Sequence, residues 1–180
     1  MTITEMTLEQ ISDSLPGYAK DLKLNLSSVL AQAELTPEQG WGTAVATALA
    51  SRNGLLYRAI AADAEKHLSP EALNGAKAAA AIMGMNNIFY RFQHLVENEK
   101  YATIPTRLRM NVMRTHGADP VNFELWCTAV SAVNGCGKCI VAHERVLVEK
   151  GTPVETITAA IRIASVVHAI AAVLDSEGIS

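Results

Sequence analysis

Four junctions in this chain set a proline directly behind a helix-capping residue. They are Thr36-Pro37-Glu38-Gln39, Ser69-Pro70-Glu71, Asp119-Pro120 and Thr152-Pro153-Val154-Glu155. A Ser, Thr or Asp oxygen satisfies an unpaired first-turn amide, and proline is tolerated next because its missing N–H would have no partner there. A Glu or Gln three residues on closes a capping box, as Gln39 does for Thr36, Glu155 for Thr152 and Gln10 for Thr7. Apolar residues recur at helical spacing behind these starts, as in Ile157, Ile161, Ala164 and His168, and no segment sustains strand alternation. The chain is therefore expected to be all-α.

The expected helices run from Thr7 to Pro16, Asp21 to Ala33, Thr36 to about Ala50, Leu55 to His67 and Ser69 to about Val96. A helix opened by Pro105 ends at His116-Gly117, and Asp119-Pro120 caps one through Val133. After a break at Asn134-Gly135, a cysteine-bearing helix runs to Lys150-Gly151, and a last helix ends near Leu174. With 49% apolar but only 5% aromatic residues, the core must be Ala, Val, Leu, Ile and Met, which favours tight helix contacts and hints at oligomerisation.

The length suits a single domain over 1–180. Trp41-Gly42-Thr43-Ala44-Val45 echoes Trp126-Cys127-Thr128-Ala129-Val130, so an internal helical repeat is expected over about 36–98 and 120–175. Where the second copy has its cysteines the first reads Ala50-Ser51-Arg52-Asn53-Gly54, so one half alone carries thiols.

A net charge of −3 without a basic stripe argues against nucleic-acid binding. Arg107, Arg109 and Arg114 read as a solvated face, with a docking site for an acidic partner as the alternative. The mixed polar start from Met1 to Lys20 lacks signal-peptide character, and no run of about eighteen apolar residues is evident. No membrane span and a cytoplasmic location are expected.

Cys136-Gly137-Lys138-Cys139 followed by His143 carries the chemistry. Thiols three residues apart can close a disulfide across one helical turn. Cys136 is expected in the first turn and Cys139 at its end, where free amides and the helix dipole favour thiolate, with Lys138 adding positive charge if it points inward. His143 lies one turn beyond Cys139 on the same face, as an acid/base for its thiol. Glu124, between apolar neighbours on the preceding helix, can orient His143 if the two helices fold together; otherwise it serves its own helix dipole. Two other readings stay open: a zinc site with His143 and Glu124 completing the ligands, and an inert buried pair.

Cys127 reads as a buried free thiol. His67 is expected to cap a helix end, His94 and His116 to lie on the surface, and His168 to be a core histidine or a site contact. Met83, Met85 and Met110 read as core filler. Asn86-Asn87, unusual in an apolar helix, should bridge helices or line the site.

The stretch Phe123 to Glu144, F-E-L-W-C-T-A-V-S-A-V-N-G-C-G-K-C-I-V-A-H-E, closely resembles the alkyl hydroperoxide reductase D (AhpD) family. So do Ala79 to Tyr90 and Leu15 to Leu26. That family sits in the carboxymuconolactone decarboxylase-like superfamily of helical proteins. The resemblance implies an AhpD-like fold, a homotrimer, and a peroxidase and disulfide reductase with no bound cofactor and no metal. It implies a peroxiredoxin partner, alkyl hydroperoxide reductase C. Electrons would come from dihydrolipoamide on a lipoylated acyltransferase, through dihydrolipoamide dehydrogenase and ultimately NADH. It makes Cys139 the peroxide-reactive thiol that becomes a sulfenic acid. Cys136 becomes the resolving cysteine and proton donor, Glu124 the proton relay and His143 an acid/base. The family often has a histidine before the second cysteine. Lys138 stands there instead, a poor proton shuttle near neutral pH, and puts direct peroxidase turnover in question. A general protein dithiol–disulfide oxidoreductase without peroxidase activity is the alternative.

Overall fold

A computed structural model of the chain describes residues 6–179. Its helices are α1 (Leu8–Ser14), α2 (Lys20–Leu30), α3 (Pro37–Ala50), α4 (Gly54–Ala64), α5 (Pro70–Leu95), α6 (Val112–Thr115), α7 (Pro120–Val133), α8 (Gly137–Glu149) and α9 (Val154–Ser176). Short 3-10 turns lie at Gly17–Ala19 and Glu99–Thr103, and the described residues contain no strand. The fold is all-α, as expected.

Three of the four proline junctions act as their sequence implies. Thr36 Oγ1 accepts from the Gln39 amide at 3.2 Å while Gln39 Oε1 accepts from the Thr36 amide at 3.0 Å. Ser69 Oγ accepts from the Ala72 amide, and Asp119 Oδ1 accepts from the amides of Val121 and Asn122. The fourth departs from expectation. Pro153, not Thr152, is the cap residue of α9, and it makes no side-chain cap bond. The Thr152 amide instead donates to Leu147 O and closes the end of α8, so the preceding helix claims the residue that would have capped the next.

The helix expected from Pro105 is mostly absent. Residues 105–110 are irregular, Arg107 has a φ of 52°, and only Val112–Thr115 is helical. A left-handed residue ends any right-handed helix, and no side-chain cap restarts one before Val112. The segment serves instead as a cover, with Met110, Val112 and Met113 packed on the core.

α3 is the central element and packs on α4, α5, α7 and α9. Small residues permit the close approach. Trp126 of α7 is fully buried, and a Cβ on Gly42 of α3 would lie 2.3 Å from its ring. A Cβ on Gly75 of α5 would meet the same ring at 3.2 Å. The core therefore interlocks one large indole with glycine and alanine surfaces. Buried Thr43 and Thr47 return their hydroxyls to carbonyls one turn back, at 2.7 Å each, so neither is left unpaired.

Residues 36–98 hold helices of 14, 11 and 26 residues, and residues 120–175 hold helices of 14, 13 and 23. The two tryptophans of the sequence echo have different surroundings. Trp126 is enclosed, whereas Trp41 is half-buried and stacks on His67 at 4.7 Å.

α9 is long and apolar enough to cross a membrane by length and composition, which the sequence reading did not anticipate. Its polar residues interrupt the run without lowering the window's mean hydropathy below 2.0, and 56% of that window is buried against the rest of the protein. A core helix has the same composition.

Candidate active site

α7 ends in a left-handed turn that aims the chain at the thiols. Gly135 has a φ of 67°, its amide donates to Ala132 O, and the Cys136 amide donates to Ser131 O. This Schellman pairing satisfies the end of α7 and reverses the chain within two residues, so α8 packs back along α7. Cys136 is then the cap residue of α8 rather than part of its first turn. Its Sγ accepts from the Cys139 amide at 3.4 Å, where a serine or aspartate oxygen usually sits.

The turn is pinned from α5. Asn87 Nδ2 donates to Ser131 Oγ at 2.9 Å, and Asn134 Nδ2 donates to Asn87 Oδ1 at 2.9 Å. Arg91 donates to the Asn134 carbonyl. One asparagine of the Asn86-Asn87 pair therefore bridges α5 to the end of α7.

The folding of α8 on α7 brings His143 to Glu124, with Nδ1 and Oε2 2.6 Å apart. A carboxylate only accepts, so Nδ1 carries the hydrogen and Nε2 is left to exchange a proton. Both side chains are mostly buried, 12% and 22% exposed. Water screens such a pair less than a surface one.

Cys139 and His143 line a cavity of about 290 Å³. Met83 and Tyr90 of α5, Met110 and Met113 of the cover segment, and Ala142 form most of its walls. Asn86 and Lys138 also line it. A larger cavity of about 900 Å³, lined by Ser51, Arg52, Arg91 and His168 among others, holds neither Cys136 nor Cys139. The smaller one is the candidate site because the thiol and the imidazole share it.

All three cysteines are free thiols. Cys136 is fully buried and Cys139 is 6% exposed, so Cys139 rather than Cys136 is the more accessible. Burial pushes the Cys139 thiol up to about 11, helped by its hydrogen bond with Cys136 and opposed by the Asn87 amide and the Lys138 charge. The expected thiolate at Cys139 is thus reversed at rest, because loss of water outweighs the favourable charge and hydrogen bond. A base is needed, and His143, which lines the same cavity, is the candidate. The direction of the shift fixes a pH dependence. Alkylation of Cys139 by iodoacetamide, followed cysteine by cysteine by mass spectrometry, should rise about tenfold per pH unit from neutral pH and level off only near 11. A plateau near neutral pH would show that the thiolate is already formed.

Lys138 is exposed and turned toward α5, with Nζ 3.3 Å from Gln93 Oε1 and 5.3 Å from the Tyr90 ring centre. Cys127 is fully buried, and burial raises its thiol well above the usual range, with the Glu124 charge adding to it.

The other histidines depart from expectation in part. His67 stacks on Trp41 instead of only ending a helix. His116 is half-buried, stacked on Phe123 at 3.8 Å, and burial lowers its pKa against the pull of Glu124 and Asp119. His168 is exposed and 3.2 Å from Ser51 Oγ, because the helical stripe that suggested a core position turns its last member outward. His94 and the three arginines Arg107, Arg109 and Arg114 are exposed as expected. Among the described residues, no group of three or more His, Cys, Asp or Glu is arranged to hold a metal ion. Met83 fills the core as expected but also walls the site, as does Met110. Met113, Tyr90, Ser131 and Arg91 were not singled out by sequence; the mid-helical Asn86-Asn87 pair was the one local sign that α5 takes part.

The Carboxymuconolactone decarboxylase family model matches residues 99–179, which span the cover segment, both thiols, Glu124 and His143. Nearly the whole chain aligns with curated relatives named "Alkyl hydroperoxide reductase AhpD". The relative in Acidobacterium capsulatum is 61% identical over 96% of this chain and 94% of its own length. That in Solibacter usitatus is 60% identical over 96% and 97%. That in Streptomyces coelicolor is 49% identical over 97% of this chain and 98% of its own length. At such identity over full length, and with an all-helical fold that carries the thiol pair beside a Glu–His dyad, the chain belongs to the alkyl hydroperoxide reductase AhpD family.

Proposed function

We propose that the protein is an antioxidant alkyl hydroperoxide reductase that works through a Cys136/Cys139 dithiol. The observation that carries the reading is the apolar cavity in which Cys139 meets His143, itself paired with Glu124. His143 Nε2 takes the Cys139 proton, and Glu124 holds the imidazolium that results. The Cys139 sulfur attacks the terminal oxygen of R–O–O–H. An S–O bond forms, the O–O bond breaks, and the alkoxide leaves as alcohol with the proton from His143. Cys136 then displaces hydroxide from the sulfenic acid; its own proton completes water, and the disulfide forms.

Re-reduction consumes a dithiol. One thiolate of dihydrolipoamide opens the disulfide, and its second thiol closes on the mixed disulfide, leaving lipoamide. Dihydrolipoamide dehydrogenase and NADH restore the carrier. The same dithiol would reduce the disulfide of the peroxiredoxin partner, alkyl hydroperoxide reductase C. Cys139 is the attacking thiol in both modes, because Cys136 is enclosed. Lys138 acts only as a weak stabiliser of the thiolate; its ammonium is engaged with Gln93, so the relay runs through Glu124 and His143. Exposed Ile88, Phe92, Leu95, Ile104 and Leu108 form apolar surface around the end of α5 and the segment after it, which supports subunit contacts of a homotrimer. A thiol-based cycle supports work in the reducing cytoplasm.

A second reading, a protein dithiol–disulfide oxidoreductase without peroxidase activity, is favoured by the raised Cys139 thiol. NADH oxidation driven by cumene hydroperoxide, with dihydrolipoamide dehydrogenase and a lipoylated carrier, separates the two. Turnover without peroxiredoxin is expected. Turnover only with peroxiredoxin selects the second reading, and none with either rejects both. In the same assay Glu124→Gln should lower kcat by about a hundredfold or more, because an amide keeps the shape but cannot stabilise an imidazolium. A loss under threefold would remove Glu124 from the relay.

A further inference from the structure

The Asn86 side chain has no part in the bridging network that holds its neighbour. Asn87 is bonded to Ser131 and Asn134. Asn86 is 5% exposed, and its Oδ1 is buried with no hydrogen-bond partner. A buried acceptor without a donor costs free energy, and a leucine of similar size would fill the same space without that cost. The residue lies on the wall of the cavity that holds Cys139 and His143, whose other lining side chains are Met83, Tyr90, Met110, Met113, Lys138 and Ala142. A buried amide with an unsatisfied oxygen in the wall of a small, mostly apolar cavity that also holds a thiol suits the binding of a polar head on an apolar body.

We infer that Asn86 is a substrate-recognition residue, whose enclosed side-chain amide turns toward the cavity on substrate entry to accept the O–H of an organic hydroperoxide and so presents the terminal oxygen to Cys139. The inference rests on the peroxidase reading and adds to it the group that recognises O–O–H. A hydroperoxide supplies the donor that Oδ1 lacks. The methionine walls take the alkyl group. Once the O–O bond has broken, the terminal oxygen is on sulfur and the alcohol has lost its hold on the amide, which favours product release over rebinding. The amide takes no proton and forms no bond in the step; sulfur supplies the electron pair and His143 the proton to the leaving alkoxide.

The test uses full-length reduced protein and two variants, Asn86→Leu and Asn86→Ala. Three quantities are measured: the stopped-flow rate of Cys139 oxidation by tert-butyl hydroperoxide and by hydrogen peroxide, the rate of Cys139 alkylation by iodoacetamide, and Tm. In both variants oxidation should slow by about tenfold or more, by the same factor for both peroxides, because the lost contact is to the shared O–O–H. Alkylation should stay within about twofold, since iodoacetamide needs the same thiol but has no hydroperoxide head. The Tm of Asn86→Leu should be unchanged or higher, the opposite of what a structural amide would give. Unchanged oxidation in Asn86→Leu overturns the inference while the peroxidase reading stands. Parallel losses in alkylation and oxidation, or a lower Tm in both variants, also overturn it, since they mark a structural role. A wild-type protein that reduces a peroxiredoxin disulfide but reacts with neither peroxide removes the peroxidase reading itself, and the inference with it.

Discussion

Cys139→Ser is expected to lower hydroperoxide turnover by about a thousandfold or more, whereas Cys136→Ser should allow one oxidation and then stop. The difference follows from where the two sulfurs lie. Cys139 is on the cavity wall with His143, while Cys136 is sealed beneath it with its sulfur turned to the Cys139 amide. A serine at 139 is a far weaker nucleophile than sulfur, and its raised basicity removes the remaining reactivity. A serine at 136 leaves the attacking thiol in place but cannot condense with the sulfenic acid. The Cys136→Ser protein should therefore consume about one equivalent of hydroperoxide and form an adduct with dimedone, a sulfenic acid trap. Mass spectrometry after a single addition of peroxide reads both results. Trapping at residue 136 in the Cys139→Ser variant, with turnover retained, would exchange the roles of the two cysteines.

Trp126→Ala should cost about 3–5 kcal/mol of stability, measured by urea denaturation. The indole is fully buried between α3 and α5, and its Nε1–H donates to Gln39 O at 3.3 Å. Removal leaves a cavity bordered by Gly42 and Gly75, which have no side chain to move into it. The effect reaches the site because Trp126 and Glu124 share α7. A loss under about 1 kcal/mol would mean that the helices close over the space.

The helix starts were legible because capping is local. Thr36 and Gln39 satisfy one another across three residues, so their hydrogen bonds are written in the order of the chain. The same reasoning failed at Thr152, whose amide is taken by Leu147 of the helix before it, and at Pro105, where a left-handed Arg107 interrupts the turn. Both failures come from competition between neighbouring elements, which a single capping signal does not describe. The thiol pair and His143 were legible for the same local reason, as residues within two turns of one helix. Glu124 was legible only in part. It is 19 residues from His143 in sequence, and the 2.6 Å contact exists because Gly135 reverses the chain and α8 returns along α7.

By itself the sequence determined an all-helical chain, the position of the thiol pair at the start of one helix and that of His143 one turn beyond it. Caps, periodicity and i, i+4 spacing are properties of a few consecutive residues. Only the tertiary structure decided which cysteine meets the cavity, that burial pushes the Cys139 thiol up to about 11, that Lys138 lies at the cavity with its ammonium beside Gln93 and that Asn86 Oδ1 is left without a partner. Each of these depends on water excluded by residues distant in the chain, from α5, the cover segment and α8 together, and exclusion of water is a property of the packed core rather than of any one stretch.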